Sequence, residues 1–132
     1  MVTALRESSL AVATGAVLVP VPLYVQRQRV RGYNHSALLA RHIGQALELP
    51  VDERTLRRVR NTEQQARIRD DATRQANVRG AFKADPRCAN AAQIILVDDV
   101  FTTGATLREC ALALKAAGAQ AVAALTLARA RD

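Results

Sequence analysis

The segment Ile94-Ile95-Leu96-Val97-Asp98-Asp99-Val100-Phe101-Thr102-Thr103-Gly104-Ala105-Thr106-Leu107 opens as an apolar run rich in β-branched residues. A run of that length and composition reads as a strand buried on both faces, the kind found in parallel sheets. Two adjacent carboxylates stop the run, and three threonines and a glycine follow within five residues. Beyond them Leu107, Cys110, Ala111 and Leu114 recur at helical spacing, with Gly118 as the stop. The segment is therefore strand, acidic pair, hydroxyl-rich turn and helix. Ligands of open α/β sheets bind at such a turn, outside the carboxyl end of a strand.

The chemistry of the turn is selective. A helix amino-terminus carries unpaired N–H groups and partial positive charge, which suits a phosphate monoester. Thr102, Thr103 and Thr106 add hydroxyl donors, and Gly104 lets a ligand approach the backbone. Asp98 and Asp99 repel a phosphate. They suit sugar hydroxyls or a hydrated Mg²⁺ instead. A phosphate beside a diol describes a ribose 5-phosphate. The bland alternative is a threonine-capped helix with solvated aspartates. A Walker-type loop is excluded because no Gly-Lys precedes the Ser/Thr, and a dinucleotide fingerprint because its three spaced glycines are missing.

Outward from this segment, Ala16 to Leu23 forms a second buried strand. Pro20 and Pro22 lack N–H donors, so the strand must end near them or place them where no ladder bond is lost. Arg27, Arg29 and Arg31 follow, then a turn at Gly32-Tyr33-Asn34. A helix begins there, capped by Asn34 or Ser36, with Leu39, Ile43, Ala46 and Leu47 as its buried stripe and Leu49-Pro50 as its close. In a parallel sheet this basic loop falls on the same edge as the acidic one, where its cations and N–H groups could hold a pyrophosphate. His42 lies beside the stripe and is expected to pack. His35 lies beside the loop.

Val51 to Val59 is a partly polar strand candidate. Residues 60–80 carry Arg60, Thr62, Gln65, Arg67, Arg69, Arg74, Asn77 and Arg79 with little apolar periodicity. They are expected to form a mobile loop that shields an anionic site from water. Gly80 to Lys83 returns as a strand, Asp85-Pro86 is a turn, and Ala121 to Leu127 is a final strand.

The whole chain is consistent with one domain of 132 residues, its core spanning about 16–128. Apolar residues make up 49%, which excludes a disordered tail, and aromatics only 3%, so helices should pack through small side chains. No run approaches the roughly 20 apolar residues of a membrane span, and no secretion signal opens the chain. The expected location is the cytoplasm. Cys88 and Cys110 lack metal-ligand spacing, so neither zinc nor a disulfide is expected. Net charge is +7, and all cations except Lys83 and Lys115 are arginines, which recognise phosphate bidentately. Direct DNA binding is open to such a surface, yet no nucleic-acid motif or stacking platform makes it specific.

Val97 to Thr106 closely resembles the phosphoribosyl-diphosphate (PRPP) motif of the type I phosphoribosyltransferases. The resemblance implies an open, mostly parallel twisted sheet flanked by helices. It implies Asp98 and Asp99 on the ribose hydroxyls as the catalytic pair, with Mg²⁺ held through water. Thr102, Thr103, Gly104, Ala105 and Thr106 would wrap the 5′-phosphate. Arg31-Gly32-Tyr33-Asn34 resembles the pyrophosphate loop, with Arg27 beside it. Together with Val19-Pro20-Val21-Pro22, the loop residues Arg60, Thr62, Gln65, Arg74 and Asn77, and Gly80-Ala81-Phe82, these motifs resemble the ComF/GntX family. Some of its members are linked to DNA uptake in natural competence. No counterpart of the family's usual cysteine-rich, zinc-binding element is expected in these residues, which would suit a shortened member or a later start, and His35 stands where Gln is usual. The expected activity is transfer of the phosphoribosyl group of PRPP with release of pyrophosphate. The rival is a PRPP- or nucleotide-binding module acting through a partner in DNA uptake. A second copy of the chain and a component of the competence machinery are the candidate protein partners.

Overall fold

A computed structural model describes residues 11–22, 34–59, 79–101 and 104–129, without the side chains of residues 99–101 and 127–129. In chain order the elements are β1 (Ala16–Pro20), α1 (His35–Leu47), β2 (Leu56–Arg58), β3 (Phe82–Ala84), a 3-10 turn (Pro86–Asn90), β4 (Gln93–Phe101), α2 (Ala105–Ala116) and β5 (Val122–Arg129). Strands β1, β4 and β5 form a parallel sheet in the order β1-β4-β5. The apolar run beginning at Ile94 is thus the central strand. Ile94, Ile95, Leu96 and Val97 are all at most 2% exposed, because a helix lies on each face.

Alternation along the strands divides the core in two. Ala16, Leu18, Ile95, Val97 and Leu125 pack with Ala40 and Ile43 of α1. Val19, Val21, Ile94 and Leu96 pack with Cys110 and Leu114 of α2, and with Leu56, Phe82 and Cys88. Both cysteines are buried free thiols.

The prolines of β1 cost no ladder bond. The Val21 N–H donates to Val97 O at 2.9 Å, toward β4, whereas the Leu18 N–H donates to Pro50 O on the opposite side. Pro20 shares the parity of Leu18, so its missing donor faces away from β4.

Four expectations are corrected. The architecture is not one sheet, because β2 and β3 pair antiparallel in a separate two-stranded ribbon. The stretch 51–59 is not one strand either. Val51 makes a single parallel bridge to Leu18, and then Asp52 turns the chain away. Its Oδ1 accepts from the N–H groups of Arg54 and Thr55, and its Oδ2 from the Thr55 hydroxyl. Partial burial works to raise the Asp52 pKa, but these hydrogen bonds outweigh it and hold the carboxyl below its ordinary value.

The other two corrections concern α1 and β4. The buried face of α1 is Ser36, Ala37, Ala40, Ile43 and Gly44, with Ala46 and His42 exposed. Small residues let this helix lie close to the sheet, and that rotates its face away from Ala46. The acidic pair does not end β4. The ladder continues through Asp98↔Thr126 to Phe101↔Arg129, since carboxylate side chains leave the backbone pairing intact.

Candidate functional site

The carboxyl ends of β1 and β4 lie on one edge of the sheet, and both helices begin there. Asn34 caps α1 from an extended conformation, its Oδ1 accepting from the N–H groups of Ser36 (2.9 Å) and Ala37 (3.3 Å). Its Nδ2 donates to Val21 O at 3.2 Å, which fastens the helix start to the end of β1. The Ser36 hydroxyl then donates to Asp98 Oδ1 at 3.1 Å. The first strand–loop–helix unit thereby touches Asp98 of the second directly.

Gly104 is the N-cap of α2, at φ 82 and ψ 0. That left-handed conformation favours glycine strongly over residues with a Cβ. The threonines at 102 and 103, on which the threonine-capped alternative rests, lie outside the described residues. Its amino-terminus opens at the edge where β4 ends, and its partial positive charge suits an anion. Ala105 is buried and Thr106 half-buried in this first turn.

Behind this edge lies Cys110. Burial pushes its thiol well above the ordinary range, against the Arg58 guanidinium, and with smaller contributions from Asp98 and Glu109. Cys110 is thus a packed apolar group rather than a nucleophile. Arg58 stacks over the Phe82 ring at 4.8 Å. The Gly80 N–H donates to Glu109 Oε1 at 3.0 Å, and the Val59 N–H to Ala81 O at 2.7 Å. The first of these bonds joins Gly80 to α2, and the second joins Val59 to Ala81.

No family model matches the chain. Competence protein F of Haemophilus influenzae is 36% identical over 115 residues, 86% of this chain and 50% of that protein. Competence protein ComFC of Bacillus subtilis is 36% identical over 114 residues, 86% of this chain and 44% of its own. DNA utilization protein YhgH of Salmonella typhi is 35% identical over 112 residues, 85% of this chain and 48% of its own. Over these residues the chain belongs to the ComF family. It spans about half the length of the curated relatives it matches.

Of the site residues proposed for this ComF chain, the structure links Asn34 and Asp98 through Ser36, while Gly104, Ala105 and Thr106 begin α2 beyond the carboxyl end of β4. Asn34 spends its amide on the α1 cap and on β1, so its side chain builds the loop end. Asp99 lies in β4 by its backbone. Arg27, Arg31, Gly32, Tyr33, Arg60, Thr62, Gln65, Arg74, Asn77, Thr102 and Thr103 lie outside the described residues, as do the basic loop and nearly all of the expected mobile loop. His35 is exposed at the start of α1. The residue that sequence reasoning missed is Ser36, seen there only as a rival cap. Its partner is 62 positions away, and no local pattern signals that pairing.

No group of three or more metal-ligating side chains occurs among the described residues. No helix among the described residues is long and apolar enough to cross a membrane.

Proposed function

We propose that this ComF chain has the type I phosphoribosyltransferase fold and binds PRPP with Mg²⁺ at the carboxyl edge of its parallel sheet. In this reading it transfers the phosphoribosyl group to an acceptor and releases pyrophosphate. The observation that carries the reading is the Asp98 carboxylate, held by Ser36 where β4 runs toward the glycine-initiated start of α2. A diol-accepting group and an anion-accepting helix end are then successive features of one strand–turn–helix unit.

The 5′-phosphate binds at the turn before α2 and supplies binding energy remote from the reacting carbon. Asp98 and Asp99 accept hydrogen bonds from the ribose hydroxyls and fix the ring. As the bond from the anomeric carbon to the pyrophosphate oxygen breaks, pyrophosphate leaves with the electron pair. The ring becomes oxocarbenium-like, and the acceptor's lone pair forms the new bond. Bound Mg²⁺ supplies neutralisation of the leaving charge, and Asp98 and Asp99 would hold it through water. Arg27 and Arg31 complete the pyrophosphate site. The names of its relatives, competence protein and DNA utilization protein, support a role in DNA uptake and use.

The competence and DNA-utilization names of the relatives favour a second reading: a PRPP-sensing module that acts on DNA uptake through a partner. Isothermal titration with PRPP tests what the two readings share. Saturable 1:1 heat that depends on Mg²⁺ is expected, and no heat with and without Mg²⁺ contradicts both. Pyrophosphate release followed by ³¹P NMR, across a panel of nucleobase acceptors, then separates transfer from sensing.

A further inference from the structure

Ser36 and Thr55 are the two buried polar residues among those described, at 4% and 1% exposure. Thr55 satisfies its hydroxyl locally, on the Asp52 carboxylate three residues before it. The Ser36 hydroxyl has a different destination. It reaches across 62 positions to Asp98 Oδ1, although helix formation does not require it. Asn34 already caps α1 and accepts from the Ser36 N–H.

The bond closes a ring. The Val21 N–H donates to Val97 O at 2.9 Å. Asn34 Nδ2 donates to Val21 O at 3.2 Å. The Ser36 N–H donates to Asn34 Oδ1 at 2.9 Å, and Ser36 Oγ donates to Asp98 Oδ1 at 3.1 Å. Asp98 is the residue after Val97, so the circuit returns to its starting strand. Every link but the last rests on backbone groups at the end of β1 or the start of α1. The hydroxyl is therefore presented to the carboxylate from a fixed position. Burying a hydroxyl that does not cap the helix is costly unless its bond is used, and alanine, of similar size, would serve the helix better.

We propose that Ser36 is a positioning residue for sugar recognition. Its hydroxyl orients the Asp98 carboxylate so that the diol of a ribose 5-phosphate meets a fixed acceptor. The proposal rests on the PRPP reading of the acidic pair. It makes the first turn of α1 part of the ribose site and selects ligands with both hydroxyls over those without. Recognition by a preset acceptor discriminates strongly against analogues lacking the hydroxyl.

The test compares ribose 5-phosphate with 2,3-dideoxyribose 5-phosphate, which keeps the ring and phosphate but lacks the diol. Binding to the full chain and to the Ser36→Ala, Ser36→Cys and Ser36→Thr variants is read by calorimetry, with melting curves to confirm folding. Ser36→Ala is expected to weaken ribose 5-phosphate about tenfold and to leave the dideoxy compound within about twofold. Ser36→Cys, with its weak donor, should fall between Ser36→Ala and wild type. Ser36→Thr should restore the preference. Equal weakening of both ligands shows a merely structural role and overturns the proposal, as does no change in either. If the wild-type chain binds neither ligand, or binds both alike, the PRPP reading falls and takes the proposal with it.

Discussion

Replacing Asp98 and Asp99 together with asparagine is expected to abolish Mg²⁺–PRPP binding while the chain stays folded. Asparagine keeps the shape of aspartate and an Oδ1 that can still accept from Ser36, so the ring at the sheet edge survives. It removes the negative charge. Each hydrogen bond to a charged group contributes about 1.5–3 kcal/mol. Two such bonds to the ribose hydroxyls therefore correspond to a loss of more than about a hundredfold in affinity. Relieving the repulsion of adjacent carboxylates offsets any cost to stability, so the melting temperature should hold within a few degrees. Calorimetry with circular dichroism reads both quantities. Undiminished binding would remove the acidic pair from the site. In a transformable host the same double variant separates the two functional readings: loss of DNA uptake with a folded protein ties uptake to the ligand, and normal uptake leaves only partner contact.

The second large effect is on stability. Gly44 lies in α1, where alanine would ordinarily gain about 1 kcal/mol over glycine. Here a Cβ would sit 2.7 Å from Val51 Cγ2 and 2.8 Å from the Leu49 carbonyl oxygen. The second of these is backbone, tied back to Gly44 O by the Leu49 N–H at 2.9 Å. Val51 is held by its bridge to Leu18. Neither neighbour yields cheaply, and overpacking of this kind costs about 1–3 kcal/mol. Gly44→Ala is therefore expected to lower the melting temperature by several degrees, reversing the sign that helix propensity alone gives. Gln45→Ala, on the exposed side of the same turn, should change stability by no more than about 0.5 kcal/mol. A more stable Gly44→Ala chain would show that α1 does not approach the sheet so closely.

What the sequence made legible follows from what is local. The run at Ile94 announced a central buried strand because a strand covered on both faces has no polar side to alternate with. Leu107, Cys110 and Leu114 announced α2 by their period. Pro20 was legible as a strand end for lack of a donor. The stripe of α1 was misjudged because its contact face is built from Ser36, Ala37, Ala40 and Gly44, small residues that a search for leucines passes over. The ribbon of β2 and β3 was hidden for another reason. Three-residue strands have no usable periodicity, and the turn that separates Val51 from Leu56 depends on Asp52 finding Thr55.

At the site, Asp98 and Gly104 were legible because adjacent carboxylates and a glycine before a helix are unusual in one dimension. Ser36 was not, since only the fold brings it to Asp98. The same distinction explains Asn34, whose residue type suggested both a cap and a ligand-binding turn. Its distances assign the side chain to the cap and to the end of β1.

The account stands on a sugar phosphate lodging between Asp98 and the start of α2. The most direct measurement is the amide spectrum of the ¹⁵N-labelled chain during titration with ribose 5-phosphate. The largest shifts are expected at Asp98, Gly104, Ala105, Thr106 and Ser36, saturating together, with β3 and the 3-10 turn unmoved. Shifts confined to residues away from this edge, or a spectrum unchanged at saturating ligand, would contradict it.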